Sequence, residues 1–294
     1  MESTVPTTPA RKPTWLRLLG GVALLRESTV GMVGLAILVF WVACALLAPW
    51  IAPYPPNATL VPFALPGAAA PDGGVFWLGT DHIGRDILSR VIWGSRTVLI
   101  YAPLATGCAY VVGIVLGLVA GYHRGWVDEV LSRFSDLVLS FPVLVLYILI
   151  IATYGSSGLN IVLAVTFASA PAVMRIVRGL VLDIRDRDYI AAAQMRGERT
   201  SYILFVEILP NVRGPLIVDA CLRLGYVIIT IGVLGFLGLG LPPPDPDWGG
   251  MINETRSMTM AFPHMALFPC LAISSLVLGL NLLADGIREV LLNA

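Results

Sequence analysis

The chain has 294 residues, of which 57% are hydrophobic and 13% charged, and its formal net charge at pH 7 is zero. Globular domains carry about 25% charged residues, and one soluble core could not cover so much apolar surface without also burying polar groups at a cost. This balance excludes a soluble enzyme, a disordered tail and, for want of a basic footprint, a nucleic-acid binder; an integral membrane protein remains.

Residues 1–30 are polar and hold Arg11, Lys12, Arg17 and Arg26. The segment is too long and mixed for a cleavable signal and reads as a cytoplasmic tail, with Trp15, Leu16, Leu18 and Leu19 along the membrane surface. Residues 31–52 form the first span: about 22 residues at ~1.5 Å each reach ~33 Å, enough to cross a hydrocarbon core of ~30 Å. Pro49, Pro53, Pro55 and Pro56 follow, with Trp50 and Tyr54 suited to the interface, and residues 53–96 are a loop too polar to span. Within that loop Ile87, Leu88, Val91 and Ile92 fall at helical spacing, with Arg85, Asp86, Ser89 and Arg90 elsewhere. The pattern predicts a short amphipathic helix on the outer face of the bilayer, its preceding turn begun by Asp81 or Thr80.

Residues 97–285 hold five more spans: about 97–122, one that follows the link 123–126 and ends near 154, 159–182, 214–240, and one that ends near Asp285. A charged segment, 183–213, joins the fourth to the fifth, a Pro/Asp-rich loop, 241–264, joins the fifth to the sixth, and 286–294 form a tail. With both termini inside, the inner segments hold fourteen Lys and Arg residues; the outer ones hold Arg85, Arg90, Arg96 and Arg256. Positive charge favours the cytoplasmic side, so the expected molecule is an all-α integral membrane protein of six spans with both termini cytoplasmic.

Gly113, Gly117 and Gly121 recur every four residues and predict a face on which a second helix packs closely. Pro103, Pro142, Pro171 and Pro269 fall inside spans and invite kinks. Asp219 and Arg223 share one face of the fifth span. They read either as the lining of a polar pathway or as a structural ion pair nearer the cytoplasmic end. Cys44, Cys108, Cys221 and Cys270 lie singly in apolar stretches and read as packing residues rather than metal ligands or disulfides. The one lysine, Lys12, follows no glycine-rich loop, so a P-loop ATPase is not expected.

Two extramembrane strings carry the most specific signal. The outer one runs Gly79-Thr80-Asp81-His82-Ile83-Gly84-Arg85-Asp86. The inner one is Asp188-Tyr189-Ile190-Ala191-Ala192-Ala193-Gln194-Met195-Arg196-Gly197, followed by Leu209-Pro210. Asp188 is suited to cap a helix and Gly197 to end it, and three alanines leave a face of low bulk able to seat in a groove of another protein.

The inner string resembles the EAA loop of permease subunits from ATP-binding-cassette importers, matching at Ala192, Ala193, Gly197, Leu209 and Pro210. The outer string is similar to the peptide/nickel branch of that family. So are Gly235-Phe236-Leu237-Gly238-Leu239-Gly240 and the stretch Pro242-Pro243-Pro244-Asp245-Pro246-Asp247-Trp248-Gly249, and together they resemble the six-span second permease chain. Two positions depart from the pattern. Ala191 replaces the motif glutamate at what would be the third helical position after an Asp188 cap, where Glu closes a capping box, and Glu207 stands before Leu-Pro.

The resemblance implies a subunit of the bacterial inner membrane that imports di- or oligopeptides or a related small solute by alternating access. Implied partners are a second homologous permease, two ATPase subunits that carry ATP and Mg2+, and an extracytoplasmic solute-binding protein, with the lipid bilayer around them and no cofactor on this chain. By the same resemblance Tyr189, Ile190, Ala191, Ala192, Ala193, Arg196, Gly197, Leu209 and Pro210 serve the ATPase contact. Thr80, Asp81, Arg85, Asp86, Asp245, Asp247 and Trp248 serve the binding protein or outer gate. An ion-coupled secondary transporter would need a functional mid-membrane carboxylate or broken helices in repeated halves. Asp219 offers one carboxylate and no repeat is visible. A channel would need a filter-like string, which is missing, and a non-translocating assembly subunit is the remaining rival.

Overall fold

The computed structural model describes residues 28–293 and is helical apart from one short hairpin. The tail expected over 1–30 lies outside the described residues except for its last three, which start α1 (Thr29–Ile51). Ser28 caps this helix, its Oγ accepting from Gly31 N at 3.2 Å. Turns follow, with a hairpin of β1 (Ala68–Ala69) and β2 (Val75–Phe76), Ala68 opposite Phe76.

Next comes α2 (Ile87–Tyr122), one helix of 36 residues. The separate surface helix expected before the second span is therefore not formed. Asp86 caps α2 directly, and its first turns face inward, with Ile87, Ser89 and Arg90 buried. Amphipathic spacing there reflects packing against the molecule's own loops, not against lipid.

The third span also differs from expectation. Residues 126–154 form α3 (Trp126–Leu139) and α4 (Val143–Tyr154), bent by 86°. Pro142 at the break lacks an N–H, and a proline disfavours helical backbone at the residue before it, here Phe141. α3 crosses the next helix, α5 (Gly158–Ile184), held by Arg178 to Asp128 at 2.5 and 2.6 Å, by Arg175 to Asp136, and by Ser135 Oγ to Met174 Sδ at 2.8 Å. Its other face leaves Trp126, Val130, Phe134 and Leu137 exposed.

A short helix, α6 (Asp188–Met195), leads into α7 (Thr200–Phe236). α7 begins well before the expected residue 214 and takes Leu209-Pro210 inside it. A π-helical stretch, Ile203–Ile208, makes this possible, with Leu209 N donating to Leu204 O. A proline ring collides with the carbonyl four residues back in a regular α-helix, and the wider turn before Pro210 relieves that clash. The connection from α7 to the last helix holds α8 (Trp248–Thr255) and a 3-10 turn (Arg256–Met258). The last helix, α9 (His264–Asn293), runs past Asp285 through the expected C-terminal tail.

Five of these helices are long and apolar enough to cross a membrane, and the bent pair makes a sixth if counted as one span. α2 and α5 share the most extensive interface. A Cβ on Gly113, Gly117 or Gly121 would approach Val173, Val177 or Val181 to 2.5, 2.5 and 2.7 Å, so the expected glycine face is the contact face. Glycines also join the first helix to the last. A Cβ on Gly34 would meet the Gly279 carbonyl at 2.6 Å, one on Gly286 would collide with Gly31, and Trp41 Nε1 donates to Ser275 Oγ at 3.0 Å.

Candidate functional site

The chemistry of the chain gathers at three levels. At mid-height, Arg223 Nε donates to Asp219 Oδ2 at 2.7 Å and the Tyr110 hydroxyl donates to the same carboxylate. At ~1.5 Å per residue, Arg223 stands about 20 Å along α7 from Phe236 and about as far from Leu209, so the pair lies near the middle of the bundle rather than at one end. Beside it is a cavity of about 140 Å³ bounded by α2, α4, α5 and α7, its wall formed by Thr106, Ala109, Tyr110, Tyr147, Ser169, Arg223, Tyr226, Val227 and Thr230. Arg223 is on that wall and Asp219 is not. Sequence reading found the ion pair and missed the hydroxyls. Their signal was present: Thr106 and Tyr110 continue the helical stripe of Gly113 and Gly117, and Tyr226 and Thr230 continue that of Asp219 and Arg223.

At one end of the bundle the 79–90 segment and α8 form a latch. Asp81 accepts from Ile83 N and Arg85 N at 3.0 and 2.9 Å, and from Arg85 Nε at 2.5 Å. Arg85 also donates to Glu254 on α8, which Arg90 approaches to 3.6 Å. Thr80 Oγ1 donates to Val61 O at 2.5 Å and accepts from Ala64 N at 2.9 Å. Asp86 takes the N–H and hydroxyl of Ser89 at 2.8 and 2.7 Å. Trp248 is fully buried; its Nε1 donates to Val91 O at 2.9 Å, its ring stands edge-on to Trp41 at 4.9 Å, and it occupies the space that a side chain on Gly94 would need.

Asp247 caps α8 through Gly249 N and Gly250 N at 3.4 and 3.1 Å. Burial pushes its carboxyl up to about 6, against those two bonds and the charge of Arg90, which favour the ionised form. Burial likewise raises Asp86 against its bonds from Ser89. Of the residues expected to touch a partner here, Thr80, Asp81, Arg85, Asp86, Asp247 and Trp248 are buried within the chain, and Asp245 alone is exposed. The first six meet their hydrogen-bonding needs inside the chain, Asp81 with Arg85 and the others with neighbouring groups, since buried polar groups left without partners are costly.

At the opposite end lies α6. Ile190 and Ala193 are buried in a cluster with Tyr110, Val173, Val177, Val181 and Ile208. Tyr189, Ala192 and Leu209 are partly covered; Ala191, Arg196, Gly197, Pro210 and Met195, at 83%, are exposed. Gly197, at φ +75°, closes the helix in a Schellman motif, with Glu198 N donating to Ala193 O and Gly197 N to Gln194 O at 3.2 and 2.9 Å. The cap expected at Asp188 is instead Arg187, which makes no side-chain bond. Asp188 begins the helix itself, where its charge suits the macrodipole. Ala191 is thus one place beyond the position from which an acidic side chain would close a capping box.

Comparison with known proteins fits these features. Residues 113–293 match the family described as binding-protein-dependent transport system inner membrane component, and residues 23–71 match the N-terminal TM domain of oligopeptide transport permease C. The chain belongs to this family of inner membrane transport permeases. Among its relatives, a glutathione transport system permease protein of Pectobacterium atrosepticum is 43% identical over 73% of this chain and 71% of its own length. A dipeptide transport system permease protein of Alkalihalophilus pseudofirmus is 37% identical over 91% of this chain and 86% of its own. A di/tripeptide transport system permease protein of Pseudomonas aeruginosa is 38% identical over 88% and 86%.

Proposed function

We propose that the chain is one of two homologous permeases in an ATP-driven importer of peptides or peptide-like solutes. The relatives' dipeptide, di/tripeptide and glutathione transport support that substrate class. In this reading both termini and α6 are cytoplasmic, and the latch with α8 faces out toward a solute-binding protein, Asp245 offering direct contact. ATP and Mg2+ reside on two partner ATPases. The exposed face of α6, around Ala191, Met195 and Arg196, docks into one of them, and Asp219 and Arg223 belong to the translocation path.

One observation carries the reading. The buried face of α6 belongs to the same packed cluster as Tyr110, whose hydroxyl holds Asp219 beside the mid-bundle cavity. Packed interiors transmit displacement rather than absorb it, so a push on α6 reaches the cavity wall. Nucleotide states that bind α6 differently would shift the bundle between its openings, since a ligand moves an equilibrium only through differential affinity. Single cysteines at positions 191, 194 and 195 test this in the detergent-solubilised complex. They are expected to crosslink to a co-purifying ATPase with yields that change between nucleotide-free and ATP-bound states. A chain that purifies as a homo-oligomer, with these cysteines unreactive toward any ATPase, would sink it.

A further inference from the structure

We propose that the mid-bundle cavity is a weak binding station for a carboxylate group of the travelling solute. The inference rests on the reading that the cavity lies on the translocation path, and adds the chemistry that the cavity selects. Its wall carries one formally charged side chain, Arg223. The counter-charge, Asp219, is not on that wall and is occupied by Arg223 Nε and the Tyr110 hydroxyl. Arg223 Nε is committed to that bond, and the side chain also lines the cavity.

Hydroxyl-bearing side chains share that wall: Tyr147, Ser169 and Tyr226. A guanidinium set among hydroxyls suits a planar two-oxygen anion, which Arg binds in a fork. No carboxylate stands on the wall to repel it.

Strength agrees with transit rather than storage. The cavity has room for a carboxylate with water beside it, and Tyr226, 70% exposed, stands on its wall. Asp219 neutralises part of the Arg223 charge, so the anion is held loosely enough to leave, as conduction along a path demands.

The test uses permeabilised membranes containing the full-length chain, its four native cysteines replaced by alanine and Ser169→Cys placed on the wall. The rate of alkylation by a small thiol reagent is measured with acetate or acetamide, two probes of equal size, at ionic strength matched with chloride. Acetate is expected to slow labelling several-fold and acetamide not at all. Equal protection by both, or by neither, would overturn the proposal without any further variant. Removing the ion pair whole, in the Asp219→Asn/Arg223→Gln double variant, avoids stranding one buried charge and is expected to abolish the acetate effect. Arg223→Lys, which keeps the charge without the fork, is expected to weaken it. Because the readout needs neither ATPase nor solute-binding protein, its failure would leave the importer reading standing, and absence of ATPase crosslinks would leave this result interpretable.

Discussion

Asp247 occupies a space that side chains at Gly235 and Gly240 would have to share, which is why the Gly-x-x-Gly-x-Gly run and the Asp-Trp-Gly run belong together. Read from sequence, an aspartate in a Pro/Asp-rich loop is a solvated charge; nothing local reveals that α8 folds it onto the end of α7. Its carboxyl, ordinarily at 3.8, is pushed up to about 6 by burial. A raised carboxyl pKa favours the protonated fold, so its contribution to stability is fully present below about pH 3.8 and is lost as pH rises through 6. At pH 7 the fold carries an ionised group whose burial costs about 3 kcal/mol at ~1.36 kcal/mol per pKa unit. Asp247→Asn keeps an oxygen for one of the two N–H groups, the shorter bond being that from Gly250, and removes the charge. The variant is expected to raise the apparent Tm in detergent at pH 7.5, with the gain shrinking toward zero near pH 4. A lower Tm at pH 7.5 would mean instead that the fold needs this charge to balance Arg90.

Between elements, what the sequence reveals depends on whether the signal is periodic. Gly113, Gly117 and Gly121 repeat at helical spacing, and the contact with Val173, Val177 and Val181 repeats at the same interval on α5. Hydropathy, by contrast, records how well a segment dissolves in lipid and says little about direction. It made the stretch from the link 123–126 to near 154 one span when residues 126–154 bend by 86°, and it started the fifth span at 214 when the helix begins at Thr200. Proline was the available clue in both places, but it bends one helix at Pro142 and is absorbed by a π turn before Pro210. The glycine face yields a geometric prediction. Gly117→Ala places a Cβ 2.5 Å from Val177 Cβ, and overpacking of this kind costs about 1–3 kcal/mol. A fall in apparent Tm of several degrees is expected. Val177→Ala should give little relief, because it removes only Cγ1 at 2.9 Å and leaves Cβ in place, whereas Val177→Gly should restore more of the loss, the Met174 carbonyl at 2.7 Å remaining in either case. Rescue by alanine as complete as that by glycine would show that the helices simply move apart.

For the whole molecule, the proposed orientation comes from the uneven distribution of arginine, and the fold supplies a way to measure it. Met195 on α6 and Met260 beyond α8 stand at opposite ends of the bundle, and they are 83% and 99% exposed. The α6 end also gathers Arg124, Arg185 and Arg196 with acidic partners: Arg124 pairs with Asp186 at 2.7 Å, and Arg185 Nη1 covers the last turn of α2 through Gly121 O at 2.7 Å. The latch end binds its own cations Arg85 and Arg90 internally, through Asp81 and Glu254. Arg85 and Arg90 are therefore held against protein rather than offered to anionic headgroups. Arginines at both ends have acidic partners, so the orientation rests on the count of Lys and Arg along the sequence. A membrane-impermeant maleimide is expected to label Met260→Cys in intact spheroplasts and Met195→Cys only after the membrane is opened. Both labels use exposed positions, so neither substitution disturbs a packed contact. Labelling of Met195→Cys from outside would place α6 beyond reach of any cytoplasmic ATPase and reverse the direction in which the bundle is read.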